Sequence, residues 1–243
     1  YWAMIFILVI ILVLNSLSLH AQPKVVAHRG YWDVEGSAQN SIKSLEKAFE
    51  IGCYGSEFDV NITSDGVPVV NHDSEINGRR IEQYPFSEFR REVLKNGEAL
   101  PTLESYLKKG KKMLPMQLIL EIKKHLTHAT EDRAVDAVVE LVNRYNLQSR
   151  VEFISFSMHI CERLQQLMPQ NKVAYLNGDV APREIIKKGL TGIDYHYNVF
   201  LKEHPEWLDE AKEVGCEVNV WTVDKPELLE LFAADERVDI ITT

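Results

Sequence analysis

The chain has 243 residues, of which 45% are hydrophobic and 26% are charged, and this composition is typical of a globular protein with one large α/β domain or two small ones. We expect one domain, because no linker-like stretch divides the chain. The formal net charge of -9 and the pI near 5.4 argue against nucleic acid or an anionic membrane as a partner, since basic surfaces bind both.

The chain opens with an apolar segment. Residues 1–23 contain no Lys, Arg, Asp or Glu, and an unbroken apolar run covers residues 5–14. This run is about half as long as a bilayer span and matches the apolar region of a secretory signal peptide. We therefore expect residues 1–21 to be a signal peptide that ends at Ala21, and the mature protein to be exported without a stable membrane span. An uncleaved anchor is the alternative.

From Lys24 onward, short β-rich runs alternate with helical patterns, as in a parallel sheet or barrel. Eight strands are predicted, at 24–28, 55–60, 117–122, 151–155, 172–176, 191–196, 216–222 and 238–242. Seven helices are predicted between them, at 40–51, 102–109, 130–145, 158–167, 181–188, 204–213 and 225–234. This order predicts an α/β fold, a (β/α)8 TIM barrel over 24–243, and we expect the sequence to be truncated before the last helix.

One segment interrupts the alternation, because VNITSDGVPVVNHD at 60–73 leaves no room for a helix. The pair Asp65 and Gly66 is a hairpin signal, so the chain is predicted to fold back antiparallel and to bring His72 opposite or nearly opposite Asp59. Residues paired in this way lie about 5 Å apart at Cβ. The polar segment 74–100 is predicted to be an irregular insertion.

Charged residues stand at period-two spacing inside the apolar strands. Glu57 and Asp59 share one face of the second strand, and Glu121 and Lys123 share one face of the third. Carboxylates in such positions are costly unless a cation pairs with them. The three carboxylates form an all-oxygen set, which suits Ca²⁺ or Mg²⁺ and not zinc. The sequence therefore predicts one divalent cation held by Glu57, Asp59 and Glu121, with the choice between the two metals open.

Further candidate residues follow the ends of the strands, where barrels of this kind place their active sites. His28 and His72 suit general acid and base work, because the pKa of imidazole lies near neutral pH. Arg29 and Lys123 suit phosphoryl oxygens, and Trp221 ends the seventh strand. Each residue alone has an ordinary structural explanation. Their convergence on one rim predicts phosphodiester cleavage, and the remaining histidines, including His196, are expected to be structural or solvent-facing.

Several motifs occur together in this chain: AHRG at 27–30, GSEFDV at 55–60, SDGVPVVNHD at 64–73, PTLESYL at 101–107, LEIK at 120–123 and VNVWTVD at 218–224. In this combination they resemble the glycerophosphodiester phosphodiesterases, from about Lys24 to the end of the chain. The resemblance implies hydrolysis of glycerophosphodiesters to sn-glycerol 3-phosphate and an alcohol. It also implies residue roles: His28 and His72 as the acid/base pair, Glu57, Asp59 and Glu121 as metal ligands, Arg29 and Lys123 on phosphate, and Trp221 on the glycerol side.

The chain departs from the family pattern in two places. Residues 38–41 read Ala-Gln-Asn-Ser where the family has Pro-Glu-Asn-Thr, which predicts altered contacts at the rim without loss of activity. The insertion at 74–100 is short, which leaves the substrate range open. The alternatives are a related phosphodiesterase that acts on a lysophospholipid or another lipid headgroup, and an inactive barrel that binds phosphorylated glycerol compounds.

Overall fold

The computed structural model describes residues 22–243, and the predicted signal peptide at 1–21 lies outside the described residues. The strands are β1 (Lys24–Ala27), β2 (Gly55–Ile62), β3 (Pro68–Val70), β4 (Glu75–Ile76), β5 (Arg79–Arg80), β6 (Gln117–Ile122), β7 (Val151–Ser155), β8 (Val173–Tyr175), β9 (Gly192–His196), β10 (Glu217–Trp221) and β11 (Ile240–Thr242). All of them except β3, β4 and β5 form a closed parallel ring, so the predicted barrel is confirmed.

The ring closes because β1 pairs on both of its sides. Val26 lies opposite Thr242 of β11 on one side and opposite Gly55 of β2 on the other. The strands β2, β6, β7, β8, β9, β10 and β11 follow one another around the ring in chain order. Because all eight strands are parallel, their carboxyl ends meet at one rim, and the predicted site residues of different strands lie at the same end.

A helix precedes every ring strand after β1, and the described part of the chain contains seven. They are α1 (Ile42–Glu50), α2 (Leu103–Gly110), α3 (His128–Arg144), α4 (Met158–Leu167), α5 (Pro182–Lys187), α6 (Trp207–Val214) and α7 (Pro226–Ala233). Side-chain hydroxyls cap the first four, as at Ser41, which accepts from the Ser44 N–H. No helix among residues 22–243 is long and apolar enough to cross a bilayer.

Helix α6 starts later than predicted, at Trp207 and not at residue 204. Pro205 disfavours helical geometry at the residue before it, and His204 indeed has φ -141° and ψ 65°. A short π-helical turn at Val199–Glu203 fills the space between β9 and this point.

The insertion after β3 is more regular than predicted. Strands β4 and β5 form a two-stranded hairpin around Asn77 and Gly78, whose φ angles are 50° and 75°. Asn-Gly is the pair that such a turn favours, so the sequence carried a signal that the prediction of an irregular insertion overlooked. A small apolar cluster holds the insertion against the barrel: Val69, Ile81, Phe89 and Leu100.

Apolar side chains fill the inside of the barrel below the rim. Val26, Ile119, Ile154, Leu176 and Ile240 form this inner cluster, and each is at most 6% exposed. A larger cluster packs between the outer face of the ring and the helices. The packed interior leaves room for a ligand at the carboxyl end of the strands.

Candidate active site

The turn after β1 carries His28 and Arg29 to the rim. Arg29 and Gly30 have positive φ angles of 56° and 76°, and a Cβ atom at Gly30 would collide with Ser44 of α1. Glycine is therefore required here, because it alone tolerates both the backbone angle and the close approach. The turn directs the Arg29 N–H toward β2, where it donates to Glu57 Oε2 at 2.8 Å.

Three carboxyl groups meet inside the rim. Glu57, Asp59 and Glu121 each offer one oxygen, and these atoms all lie within 4.8 Å of one another. The strand register brings Asp59 of β2 directly opposite Glu121 of β6. The three residues are only 4%, 1% and 6% exposed. Oxygens at this spacing can grip one hard cation, so the cluster fits the divalent ion that the sequence predicts.

The charges around the cluster do not balance within the protein. Lys123 Nζ lies 3.0 Å from Asp59 Oδ1 and 2.7 Å from Glu121 Oε1, and Arg29 Nε lies 3.8 Å from Asp59 Oδ2. With all carboxyl groups ionised, three negative charges face two positive charges. A divalent cation together with a singly charged phosphodiester would bring the site to neutrality.

The pKa values of the cluster reflect this imbalance. Burial, and then the negative charge of Asp59, raise the pKa of Glu121 to about 8. Burial, followed by the charges of Asp59 and Glu121, raises the pKa of Glu57 well above its ordinary value. Burial alone would raise the pKa of Asp59, but the combined effects of Lys123, His72 and the Asn40 hydrogen bond outweigh it, and the pKa is lowered. The group thus lacks positive charge, which a bound cation would supply.

Two amide side chains before α1 support the cluster. Asn40 Nδ2 donates to Asp59 Oδ2 at 2.8 Å, and Asn40 Oδ1 accepts from the Asp59 N–H at 3.0 Å. Gln39 Oε1 accepts from Arg29 Nη1 at 2.9 Å. Sequence reasoning placed Asn40 only at a helix start, because its pairing with Asp59 depends on a left-handed backbone (φ 61°) that sequence spacing does not reveal.

The two candidate histidines differ in their surroundings. Burial, and then the charge of Arg29, lower the pKa of His28 to about 4, so its imidazole is neutral near neutral pH. His72 is partly exposed, and its Nδ1 lies 2.8 Å from Asp73 Oδ1. The Asn71 N–H donates to the Asp59 carbonyl at 2.9 Å, so His72 stands one residue beyond the partner of Asp59. This agrees with the hairpin prediction.

A cavity of about 190 Å³ opens between these groups. All eight residues that the sequence analysis selected line it: His28, Arg29, Glu57, Asp59, His72, Glu121, Lys123 and Trp221. An adjoining groove of about 600 Å³ shares His72, Glu121, Lys123 and Phe156 with the cavity. A small ligand that is bound in the cavity could therefore have a substituent that extends past His72 into the groove.

Aromatic side chains and one further carboxyl group also line the cavity. The Trp221 indole N–H donates to the Asp194 backbone carbonyl at 2.8 Å, so the N–H is occupied within the protein. Phe156 and His196 pack edge-on against the indole at centroid distances of 5.8 and 5.2 Å. His196 therefore contacts the indole and is not among the residues that line the cavity. Asp194 and Phe156 also line the cavity and were missed by the sequence analysis.

Comparisons with known proteins agree with this geometry. The model of the Glycerophosphoryl diester phosphodiesterase family matches residues 28–242. A glycerophosphodiester phosphodiesterase of Caldanaerobacter subterraneus is 27% identical, over 85% of this chain and 88% of the relative. The crystal structure of a glycerophosphodiester phosphodiesterase from Parabacteroides distasonis is 49% identical, with a TM-score of 0.89 over 91% of this chain and 92% of that one.

One further solved structure shares the fold. It is an Oleispira antarctica phosphodiesterase in complex with the product sn-glycerol-3-phosphate, and it is 24% identical to this chain with a TM-score of 0.76. The alignment covers 91% of this chain and 92% of that chain.

Proposed function

Because this chain belongs to the glycerophosphoryl diester phosphodiesterase family, we propose that it hydrolyses glycerophosphodiesters to sn-glycerol 3-phosphate and an alcohol. The observation that carries the proposal is the buried cluster of three carboxyl groups beside two cationic side chains in a cavity at the rim. The similarity to the Parabacteroides structure, over nine tenths of both chains, also supports it.

We propose Glu57, Asp59 and Glu121 as the ligands of one divalent cation, Ca²⁺ or Mg²⁺. Their oxygens lie close enough to share an ion, and the raised pKa values of Glu57 and Glu121 indicate missing positive charge. When bound, such an ion supplies positive charge to phosphoryl oxygens as a Lewis acid. Arg29 and Lys123 are proposed to bind the same phosphate, because both line the cavity and carry fixed positive charge there.

The proposed proton transfers follow from the environments of the two histidines. His28 is neutral near neutral pH, so it can take a proton from the attacking hydroxyl, whether that belongs to water or to the glycerol. The Asp73 carboxylate occupies His72 Nδ1 and leaves Nε2 for the substrate. Because His72 also lines the adjoining groove, it stands where the departing alcohol would leave and can protonate it.

The assay that tests this function measures the release of sn-glycerol 3-phosphate from glycerophosphocholine and glycerophosphoethanolamine. We expect turnover of both, loss of turnover with a chelator, and recovery when Ca²⁺ or Mg²⁺ is restored. Turnover that a chelator leaves unchanged would contradict the role of the carboxylate cluster. Binding of sn-glycerol 3-phosphate without turnover of either diester would favour the inactive phosphoglycerol-binding barrel instead.

A second candidate is the hydrolysis of a lysophospholipid. A groove of about 770 Å³ beside the active site favours it, because Trp32, Val34, Val93 and Leu94 give this groove apolar walls that an acyl chain could use. Vesicles or micelles of lysophosphatidylcholine in the same assay distinguish the two substrates. The readout is choline, which this cleavage would release from both substrates: release from glycerophosphocholine but not from lysophosphatidylcholine supports the first candidate.

A further inference from the structure

Asp194, in the middle of β9, is a fourth carboxyl group inside the barrel. It is 2% exposed, and its Oδ1 has no hydrogen-bond partner among residues 22–243. The side chain lines the catalytic cavity and also a small cavity of about 20 Å³ beneath it, so it lies at the floor between the two. Buried polar atoms in native proteins nearly always have a partner, and an exception calls for an explanation.

The proposed metal site does not explain Asp194. The carboxyl oxygens that lie within 4.8 Å of one another belong to Glu57, Asp59 and Glu121, and Asp194 is not in this group. In the described part of the chain Asp194 forms no ion pair, and the charges that act on it belong to carboxylates, Glu121 among them. Burial and then these charges raise its pKa well above the ordinary value, which favours the neutral acid. A neutral carboxyl group can both donate and accept a hydrogen bond.

The surroundings of Asp194 fit a small polyol. Ile154 and Leu176 give the cavity apolar sides, and Trp221, whose N–H donates to the Asp194 carbonyl, offers its ring and no free donor. The cationic groups of Arg29 and Lys123 line the same cavity and would hold the phosphate. A glycerol whose phosphate is bound there has its terminal hydroxyl farthest from the phosphorus atom, and Asp194 offers an unpartnered polar atom in the same cavity.

We propose that Asp194 binds the terminal hydroxyl of the substrate's glycerol, the one farthest from the phosphodiester, and so makes the enzyme specific for glycerol with that hydroxyl free. The inference rests on the proposed function and deepens it. A cavity of about 190 Å³ with a packed floor has no room for an acyl chain on this hydroxyl, and it is smaller than the roughly 300–1,000 Å³ of clefts for drug-sized ligands. The inference therefore predicts that 1-acyl lysophospholipids are rejected, which stands against the second candidate function above.

The test compares two substrates that differ in this hydroxyl alone: glycerophosphocholine and its analogue in which propane-1,2-diol, esterified through its primary oxygen, replaces glycerol. We expect the wild type to have a kcat/KM about tenfold or more higher for glycerophosphocholine, since a site built to bind a hydroxyl disfavours the analogue that lacks it. In Asp194→Ala and Asp194→Leu we expect kcat/KM to fall about tenfold for glycerophosphocholine and to stay unchanged for the analogue.

Asn219→Ala is the matched control. Asn219 lies directly opposite Asp194 on β10, is also buried, and accepts a hydrogen bond from Thr242 Oγ1 at 3.0 Å. This variant should keep the wild-type preference between the two substrates. Asp194→Leu should also have a melting temperature equal to or above that of the wild type, because it removes an unpartnered buried carboxyl group, whereas a purely structural Asp194 predicts a loss.

Each result decides one question. Equal kcat/KM values of the wild type for both substrates would overturn the inference, even if both Asp194 variants failed to fold. Variants that lose activity equally on both substrates would also overturn it, because Asp194 would then act through the fold or hold only a buried water. Absence of wild-type turnover of any glycerophosphodiester would overturn the proposed function itself.

Discussion

His28 and His72 reach one cavity from two different strand ends, and we predict that neither can replace the other. His28→Ala and His72→Ala should each lower kcat on glycerophosphocholine by about 10²–10⁴-fold, the usual contribution of a general acid or base. The carboxylate cluster does not include either side chain, so stabilisation by a divalent cation should persist. Steady-state kinetics and thermal melts with and without the cation check both expectations.

The control for these variants is His128→Ala, because the His128 side chain is 74% exposed on the outside of the barrel. It should keep wild-type kinetics. Turnover within a few-fold of wild type in either catalytic variant would contradict the acid and base assignments while leaving the metal site untouched.

Glu57 gives a second prediction at the residue scale. In a chelator, Glu57→Gln should melt at a higher temperature than the wild type, because it removes one of three mutually repelling buried carboxyl groups. The same variant should lose most of the stabilisation that Ca²⁺ or Mg²⁺ gives the wild type. A ligand stabilises the folded protein less when its affinity for the folded protein is lower. Differential scanning calorimetry with and without cation measures both effects.

Glu203→Gln, in the exposed turn before α6, is the matched control and should leave both melting temperatures unchanged. If the cation raised the melting temperature of Glu57→Gln as much as that of the wild type, Glu57 would not be a metal ligand.

Period-two spacing was enough to predict which charged residues share one face of β2 and of β6, because the alternation of side chains is a local property of each strand. The same pattern exists in β9, where Asp194 interrupts an apolar strand two residues before His196, but none of the motifs that carry the family resemblance includes these residues. Asn40 is different. Its contact with Asp59 depends on a left-handed turn and on the packing of α1 against β2, which no spacing rule reports.

At the scale of elements, the alternation of strands and helices was predictable because each ring strand is a short apolar run bounded by polar loops. The hairpin from β2 to β3 was predictable from Asp65 and Gly66, where φ of the glycine is 85°. Strands of two residues carry no periodic pattern, so the Asn77-Gly78 pair was the local signal of the hairpin of β4 and β5, and the prediction of an irregular insertion overlooked it. Their position depends on contacts of the insertion with the barrel, which appear only in three dimensions.

His125 joins two elements and makes the stability of the barrel depend on pH. The Ile62 N–H at the end of β2 donates to His125 Nε2 at 3.3 Å, which requires a neutral ring, and burial lowers the pKa of this histidine. The folded state therefore binds fewer protons than the unfolded state between the lowered pKa and about 6.5. The part of the stability that depends on neutral His125 is fully present above pH 6.5 and should be lost as the pH decreases through this window.

Urea unfolding at pH values from 7.5 to 5 measures this dependence. His125→Gln keeps an acceptor for Ile62 but cannot titrate, so on acidification its stability should decrease less, or increase more, than that of the wild type. The difference between the two profiles is the measurement, because His28 acts with the same sign as His125 and the raised pKa values of Glu57 and Glu121 act with the opposite sign. His204→Gln, on the surface, should behave as the wild type; identical profiles for His125→Gln and wild type would exclude His125 as the source.

At the scale of the whole molecule, the two ends of the described chain form the seam that closes the barrel. The Thr243 N–H donates to the Val26 carbonyl at 3.0 Å, and the His28 N–H donates to the Thr243 carbonyl at 2.9 Å. The seam therefore runs directly into the turn that carries a proposed catalytic histidine. We therefore predict that closure of the ring and placement of the active site are coupled, so that activity is lost together with the global fold.

Ile241 tests this link, because it is 3% exposed in β11 and lies opposite Val25 on one side and Val220 on the other. Ile241→Ala should lower the free energy of unfolding by about 2–5 kcal/mol, as buried large-to-small substitutions do. Ile51→Ala, at a residue that is 58% exposed, should change it by about 0.5 kcal/mol or less.

In urea, a cooperative barrel that needs its seam should show a lower midpoint for Ile241→Ala with an unchanged slope m, and activity should disappear along the same curve as the folded signal. A reduced m, or activity lost at a lower urea concentration than secondary structure, would mean that the seam opens on its own before the rest of the barrel. The placement of His28 would then depend on a local equilibrium and not on global folding.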